Sequence, residues 1–155
     1  MNYEILQKIP KTRLIHALDS LISKGILSES DIDQELNLSN SIPTYIFTKD
    51  LGILESTVKY LKQEQNLKLS KIAKLINRNP RTIWSTYRKS IKKQDYQKKD
   101  KFIIIPISVF SNRAFPPLKS LVKYLKEECS LRYSEIAGLI SRDQRTIWVT
   151  YNRKG

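Results

Sequence analysis

The chain has 155 residues, room for one ordinary domain or two very small ones, which excludes a large multidomain enzyme. Its 28 lysines and arginines exceed its 15 carboxylates and leave a formal charge of +13, so the natural partner is a polyanion. A single cysteine, Cys129, and a single histidine, His16, exclude an internal disulfide framework and a zinc site of repeated cysteines and histidines; a reducing, intracellular setting with no cofactor fits best.

Residues 1–41 hold four basic and six acidic side chains, a net −2, so the rest of the chain carries +15. The surface that meets the polyanion is therefore expected after residue 41, with the first segment serving packing or a protein partner. Within it Leu14, Leu18, Leu21 and Ile22 form one helical stripe that ends at Gly25, and Ser28, with Asp31 three residues on, opens a second helix. The two make an N-terminal helical hairpin. His16 reads as a surface or half-buried residue rather than a ligand, since no second histidine exists to help it. Glu4 and Lys8 interrupt the N-terminus, and the longest apolar run, Phe102 to Phe110, is far short of the roughly 20 residues of a membrane span. Neither a secretion signal nor a membrane partner is expected.

Ile42–Phe47 follows as a short extended piece. Leu54, Val58 and Leu61 then recur at i, i+4 and i+7, the mark of an amphipathic helix. A second, short helix is expected to begin at Ser70, whose hydroxyl can accept from the first-turn amides, and to carry Ile72, Ala73, Leu75 and Ile76. Asn79 is a good N-cap for a third helix, Pro80 suits its first position, and Ile83 with Tyr87 gives it an inward face. Residues 42–93 are thus a first three-helix module. The stretch Arg88–Lys101 holds seven basic residues against Asp95 and Asp100, a net +5. Its core, 94–101, is a basic linker that either follows a nucleic-acid backbone or minor groove, or continues helix three in water as a loose tether.

The second module, 102–155, opens with Phe102–Phe110, which reads as a strand demoted to an edge by Pro106. Pairing with Ile42–Phe47 within the chain would lock the modules together; pairing between chains, or through the N-terminal hairpin, would give a homodimer. Leu54–Tyr87 and Leu118–Tyr151 match at an offset of 64 with 21 of 34 residues identical, and Ile42-Pro43 with Phe47 matches Ile105-Pro106 with Phe110 at 63. Leu118, Leu121, Val122 and Leu125 repeat the first helix, Ser134 its second, and Asp143 caps a third helix with Ile147 and Tyr151 inward. The fold class is mainly α: two tandem three-helix helix-turn-helix modules, each preceded by a short strand, plus the N-terminal hairpin.

The phrase S-x-I-A-x-L-I-x-R-x-x-R-T-I-W, running from Ser70 to Trp84 and from Ser134 to Trp148, resembles the helix-turn-helix superfamily, and looks like the simple three-helix version of sigma-factor region 4 and of the DNA-binding ends of recombinases. The resemblance covers about two-thirds of the chain. It departs at the turn, where the usual glycine is Asn77 or Ser141 and the following apolar residue is Arg78 or Arg142. Asparagine accepts the left-handed conformation more readily than serine, so the second turn is expected to differ in shape.

In such a module the third helix enters the major groove with its N-terminal half toward the bases. The outward positions, expected to contact bases, are Asn79, Pro80, Arg81, Ser85 and Arg88 in the first copy and Asp143, Gln144, Arg145, Val149 and Asn152 in the second. Arg81 and Arg145 suit the two acceptors of guanine, and Gln144 or Asn152 suits adenine. Arg78, Thr82, Lys92 and Lys93, with Arg142 and Thr146, are expected at phosphates. Lys59, Lys62, Lys123 and Lys126 offer phosphate contacts or a solvated helix face; Tyr60 and Tyr124 read as half-buried supports. Trp84 and Trp148, about 100° round the helix from the buried isoleucines, are expected to pack against helix one. Inward residues of the third helices agree between copies while most outward ones differ, which implies an asymmetric target.

The function implied is sequence-specific binding of double-stranded DNA by a small, intracellular, nucleoid-associated transcription regulator. Two other readings stay open: a DNA-anchoring component of a recombination, partition or replication system of a mobile element, and RNA binding, against which the lack of aromatic-rich sheet motifs and a GXXG loop argues. No enzyme is expected, since four glycines offer no phosphate loop and the carboxylates no metal-binding cluster.

Overall fold

The computed structural model describes residues 40–154 together with residues 16, 17, 20, 21 and 23–26. By compactness the chain divides into Met1–Ser41 and Ile42–Gly155. In the first unit the predicted hairpin residues Leu14, Leu18, Ile22, Ser28 and Asp31 lie outside the described residues. Residues 16, 17, 20, 21 and 23 are helical and His16 is exposed. Gly25 takes a left-handed φ of 69°, and the Ile26 amide donates to the Leu21 carbonyl at 3.0 Å, so this helix stops at the glycine.

The second unit holds six α-helices in two groups of three, with one pair of short strands. Strand β1 (Ser41–Pro43) runs into a 3-10 turn (Thr44–Ile46); α1 (Ile53–Gln63), α2 (Leu69–Leu75) and α3 (Pro80–Ser90) follow. Strand β2 (Ile104–Pro106) runs into a second 3-10 turn (Ile107–Phe110), then α4 (Pro117–Glu127), α5 (Tyr133–Ile140) and α6 (Gln144–Asn152). Within each group all three helices pack on one another.

Strands β1 and β2 pair with each other inside the chain. Both are much shorter than the predicted extended pieces. Pro43 and Pro106 lack the N–H that a longer ladder needs, and the chain turns into 3-10 geometry directly after each. Thr44 seals the end: its amide donates to the Ile103 carbonyl at 2.9 Å, and its hydroxyl accepts from the Ile103 amide at 3.0 Å. Burial rather than the ladder holds these arms. Ile42, Ile46, Phe47, Ile105, Ile107 and Phe110 are all at most 1% exposed, and each is worth about 1.5–3 kcal/mol relative to exposure. They join Val58, Leu61 and Ile83 of the first group to Val122, Leu125 and Ile147 of the second in one continuous core. The two modules are therefore one body and not beads on a tether.

The arms also cross between groups. The first 3-10 turn packs on α5 as well as α1, the second packs on α4, and α1 meets α4. Asn77 Nδ2, in the turn after α2, donates to the Ser111 carbonyl at 3.3 Å. Arg142, in the matching turn after α5, donates to the carbonyls of Thr48 and Leu51, the latter at 2.9 Å. Each turn thus grips the chain just past the other copy's arm.

Among the described residues, four other than glycine have positive φ: Asn66 at 53°, Asn77 at 52°, Ser130 at 53° and Ser141 at 54°. They form two pairs 64 residues apart. The expectation of a differently shaped second turn is therefore corrected. The Arg78 amide reaches back to the Ala73 carbonyl at 2.9 Å and the Arg142 amide to the Ala137 carbonyl at 3.1 Å, so the same backbone bonds impose the same turn on serine as on asparagine. The expected caps Ser70 and Ser134 are likewise displaced: α2 starts at Leu69 and α5 at Tyr133, which puts both serines inside the first turn. At α5 the Glu135 carboxylate instead accepts from the Arg132 amide at 2.7 Å.

Left-handed backbone costs an ordinary residue about 1–2 kcal/mol, and glycine returns about 0.5–1 kcal/mol of that through its freer unfolded chain. Ser141→Gly is expected to raise stability by up to about 1 kcal/mol. Asn77→Gly should gain less, because asparagine tolerates the conformation and its bond to Ser111 is lost. Denaturant midpoints at unchanged slope measure both; a lower midpoint for Ser141→Gly would contradict the turn geometry.

Candidate nucleic-acid interface

The third helices carry the predicted reading residues, and their starts are built alike. Asn79 Oδ1 accepts from the Arg81 amide at 2.8 Å; Asp143 Oδ1 accepts from the amides of Arg145 at 2.9 Å and Thr146 at 3.4 Å. The sequence identifies both caps, and Pro80 occupies the first position of α3, where no N–H is needed. Capping commits these side-chain oxygens, so Asn79 and Asp143 orient their helices before they offer anything to a ligand.

Ile83 and Ile147 are fully buried, and Tyr87 and Tyr151 are half-buried beside them. This inward stripe turns the opposite face out. Pro80, Arg81, Thr82 and Arg88 are exposed on α3, and Gln144, Arg145, Thr146, Val149 and Asn152 on α6. Two of the predicted readers are partly occupied by their own helix: the half-buried Ser85 donates its hydroxyl to the Thr82 carbonyl at 3.1 Å, and Asn152 Nδ2 donates to the Trp148 carbonyl at 2.9 Å.

Trp84 and Trp148 depart from expectation. Each is 54% exposed instead of packed under helix one. A position 100° from a buried isoleucine lies where the cover given by the neighbouring helix runs out, and the helical period alone does not locate that limit.

The first part of the basic linker, as far as Tyr96, is held against the protein and is not a loose tether. It lies back on α1, where Lys93 Nζ meets Glu55 Oε2 at 2.6 Å, Asp95 meets Lys59 at 3.2 Å, and the Tyr96 hydroxyl donates to Glu64 Oε1 at 2.9 Å. The Tyr96 ring centroid stands 5.9 Å from that of Tyr45 and 6.2 Å from that of Tyr60. Burial, then the hydrogen bond to Glu64, pushes its phenol well above the ordinary tyrosine value. Lys92 and Lys93 are both exposed, but the Lys93 ammonium is paired with Glu55 while Lys92 has no ion pair among the described residues. The anchors are the one aromatic residue of the linker and one of its two acids, a signal the net charge conceals.

Lys59, Lys123 and Lys126 of the first helices are similarly occupied. The Lys59 side chain is only 4% exposed against Asp95. Lys126 donates to the Leu131 carbonyl at 3.2 Å, and Lys123 lies 5.2 Å from the Phe115 ring centroid and 4.0 Å from Glu127. Tyr60 and Tyr124 are half-buried. Burial chiefly, helped by Cys129 and Glu128, pushes Tyr124 up to about 12.

Arg142, expected at a phosphate, is half-buried with its guanidinium on the Thr48 and Leu51 carbonyls, and burial lowers its pKa. It fastens the two groups together. Arg78, at the matching place, is half-buried with no hydrogen bond from its side chain among the described residues. No described helix is long and apolar enough to cross a membrane, and no group of three or more potential metal ligands occurs among the described residues.

Hydrogen bonds from a charged donor are worth about 1.5–3 kcal/mol. Arg142→Ala should therefore destabilise the protein by about that amount, and Arg78→Ala by much less. Thermal melts of the two variants make the comparison, and equal losses would remove Arg142 from its fastening role. No family model matches the chain, and no curated protein and no solved structure matches it.

Proposed function

We propose that the chain binds double-stranded DNA sequence-specifically through two unequal helix-turn-helix reading heads, with α3 and α6 in the major groove, and acts by occupancy as a small transcription regulator. The observation that carries the reading is the pair of third helices, each capped by the side chain at the same place and each with an exposed arginine at the same place, on the part of the chain that holds the whole positive excess. That excess of +15 lies beyond residue 41 and supplies affinity by displacing counterions from the phosphates.

Arg81 and Arg145 have the donor geometry for the N7 and O6 acceptors of guanine, and Gln144 has that for adenine. Val149, 46% exposed in the middle of the outward face of α6, suits a thymine methyl where α3 has Ser85. Arg78, Thr82, Thr146 and Lys92 remain the residues for phosphate. The reading heads share their arginines and differ in the neighbours, so the preferred site consists of two related but unequal half-sites.

Selection of bound duplexes from a random pool tests the reading. Arg81→Ala and Arg145→Ala should each lose preference at a separate cluster of base pairs, at a cost of about 1–3 kcal/mol for that half-site. With six to ten phosphates contacted, affinity should fall about 10³–10⁵-fold between about 50 and 200 mM salt. A flat salt response, or unchanged preference in both variants, would contradict the proposal. Sites remote from promoters would move the chain from regulation to DNA anchoring.

A further inference from the structure

The chain has two tryptophans, and they stand at matching places on α3 and α6 with the same 54% exposure. Large apolar side chains left half in water are informative where scattered small ones are not. Their immediate surroundings differ. The Arg88 guanidinium lies 5.3 Å from the Trp84 ring centroid, whereas α6 has Asn152 at that position, bonded to the Trp148 carbonyl. Equal exposure despite unequal neighbours marks the placement as a property of the helix and its packing, not of a local cover.

The exposed residues of the two helices fall into two sets. Pro80 against Gln144, Val149 where α3 has the half-buried Ser85, and Arg88 against Asn152 differ between copies. Arg81 with Arg145, Thr82 with Thr146, and Trp84 with Trp148 are the same. Ile83 and Ile147 are identical because each fills the core; burial gives no such reason for an exposed indole. An indole has one N–H donor and no acceptor, and its faces are apolar. Those properties suit the part of a duplex that does not vary with sequence: a phosphate oxygen for the N–H and a deoxyribose for the ring. The arginine one turn away on the same surface, Arg81 or Arg145, disfavours a second copy of this cationic chain as the occupant and favours a polyanion.

Resting on the duplex-binding reading, we infer that Trp84 and Trp148 are backbone-docking residues, each laid against the sugar–phosphate chain of its half-site and fixing how deep the neighbouring arginine enters the groove. The constant set then sets register and depth, and the variable set reads sequence.

Two tryptophans make intrinsic fluorescence a site-specific probe. The full chain as Trp84→Phe, and separately as Trp148→Phe, leaves one indole to observe while labelled duplex from the selection is titrated and its anisotropy recorded. The emission of each remaining tryptophan should shift or quench in step with the anisotropy. Trp84→Ala and Trp148→Ala should keep the melting temperature and weaken binding about tenfold on unrelated duplex, and by at least that factor on the selected one. Binding by anisotropy with both emissions unchanged would overturn the docking role and leave the duplex reading standing. No anisotropy change with any duplex would overturn both. An emission change with protein concentration alone, in the absence of DNA, would make a second copy the occupant and likewise overturn the inference.

Discussion

Burial of the two arms at the centre of the second unit is the constraint on which everything else rests. A pair of three-residue strands supplies too few hydrogen bonds to hold two helical groups together. Ile42, Phe47, Ile105 and Phe110 supply what the ladder lacks, since each is withdrawn from water against helices of the shared core. The turns after α2 and α5 then fasten onto chain just beyond the opposite arm, through Asn77 and Arg142. Because the same apolar contacts build the modules and join them, neither group has a separate core.

That construction bears directly on recognition. Two reading helices joined by a flexible tether would bind two half-sites at many separations, at the entropic cost of ordering the tether. Here α3 and α6 belong to one packed unit, and the linker that joins their groups is itself strapped to α1 by Lys93, Asp95 and Tyr96. Under the proposed function, specificity thus comes from two sources: the outward side chains, and a fixed distance between them.

Much of this was legible in the sequence because the signals are local or repeated. The recurrence of Ile-Pro with a phenylalanine four residues on marked both arms and suggested that they pair. Asn79 and Asp143 announced the third helices, since a capping side chain acts within three residues of itself. Ser70 and Ser134 misled because a serine serves equally as a cap or one position inside the helix. The left-handed Ser141 was hidden by residue preference, and only the backbone bond to Ala137 makes it plain. Arg142 was illegible for a different reason: its partners lie 91 and 94 residues away, and a long cation looks the same in sequence whether it meets a phosphate or a carbonyl. The exposure of Trp84 and Trp148 belongs to the same class, set by where a neighbouring helix ends.

Under the proposed function, one packed unit presents α3 and α6 to a single duplex at a fixed separation. Varying the spacing between the two half-sites of the selected duplex tests it most directly. Insertion of about five base pairs, roughly half a helical turn, turns one half-site to the far side of the DNA and should reduce affinity to that of a duplex with a single half-site, with recovery no better than partial at a full turn. Undiminished affinity across all spacings would mean that the two helices read independently, and would contradict the claim.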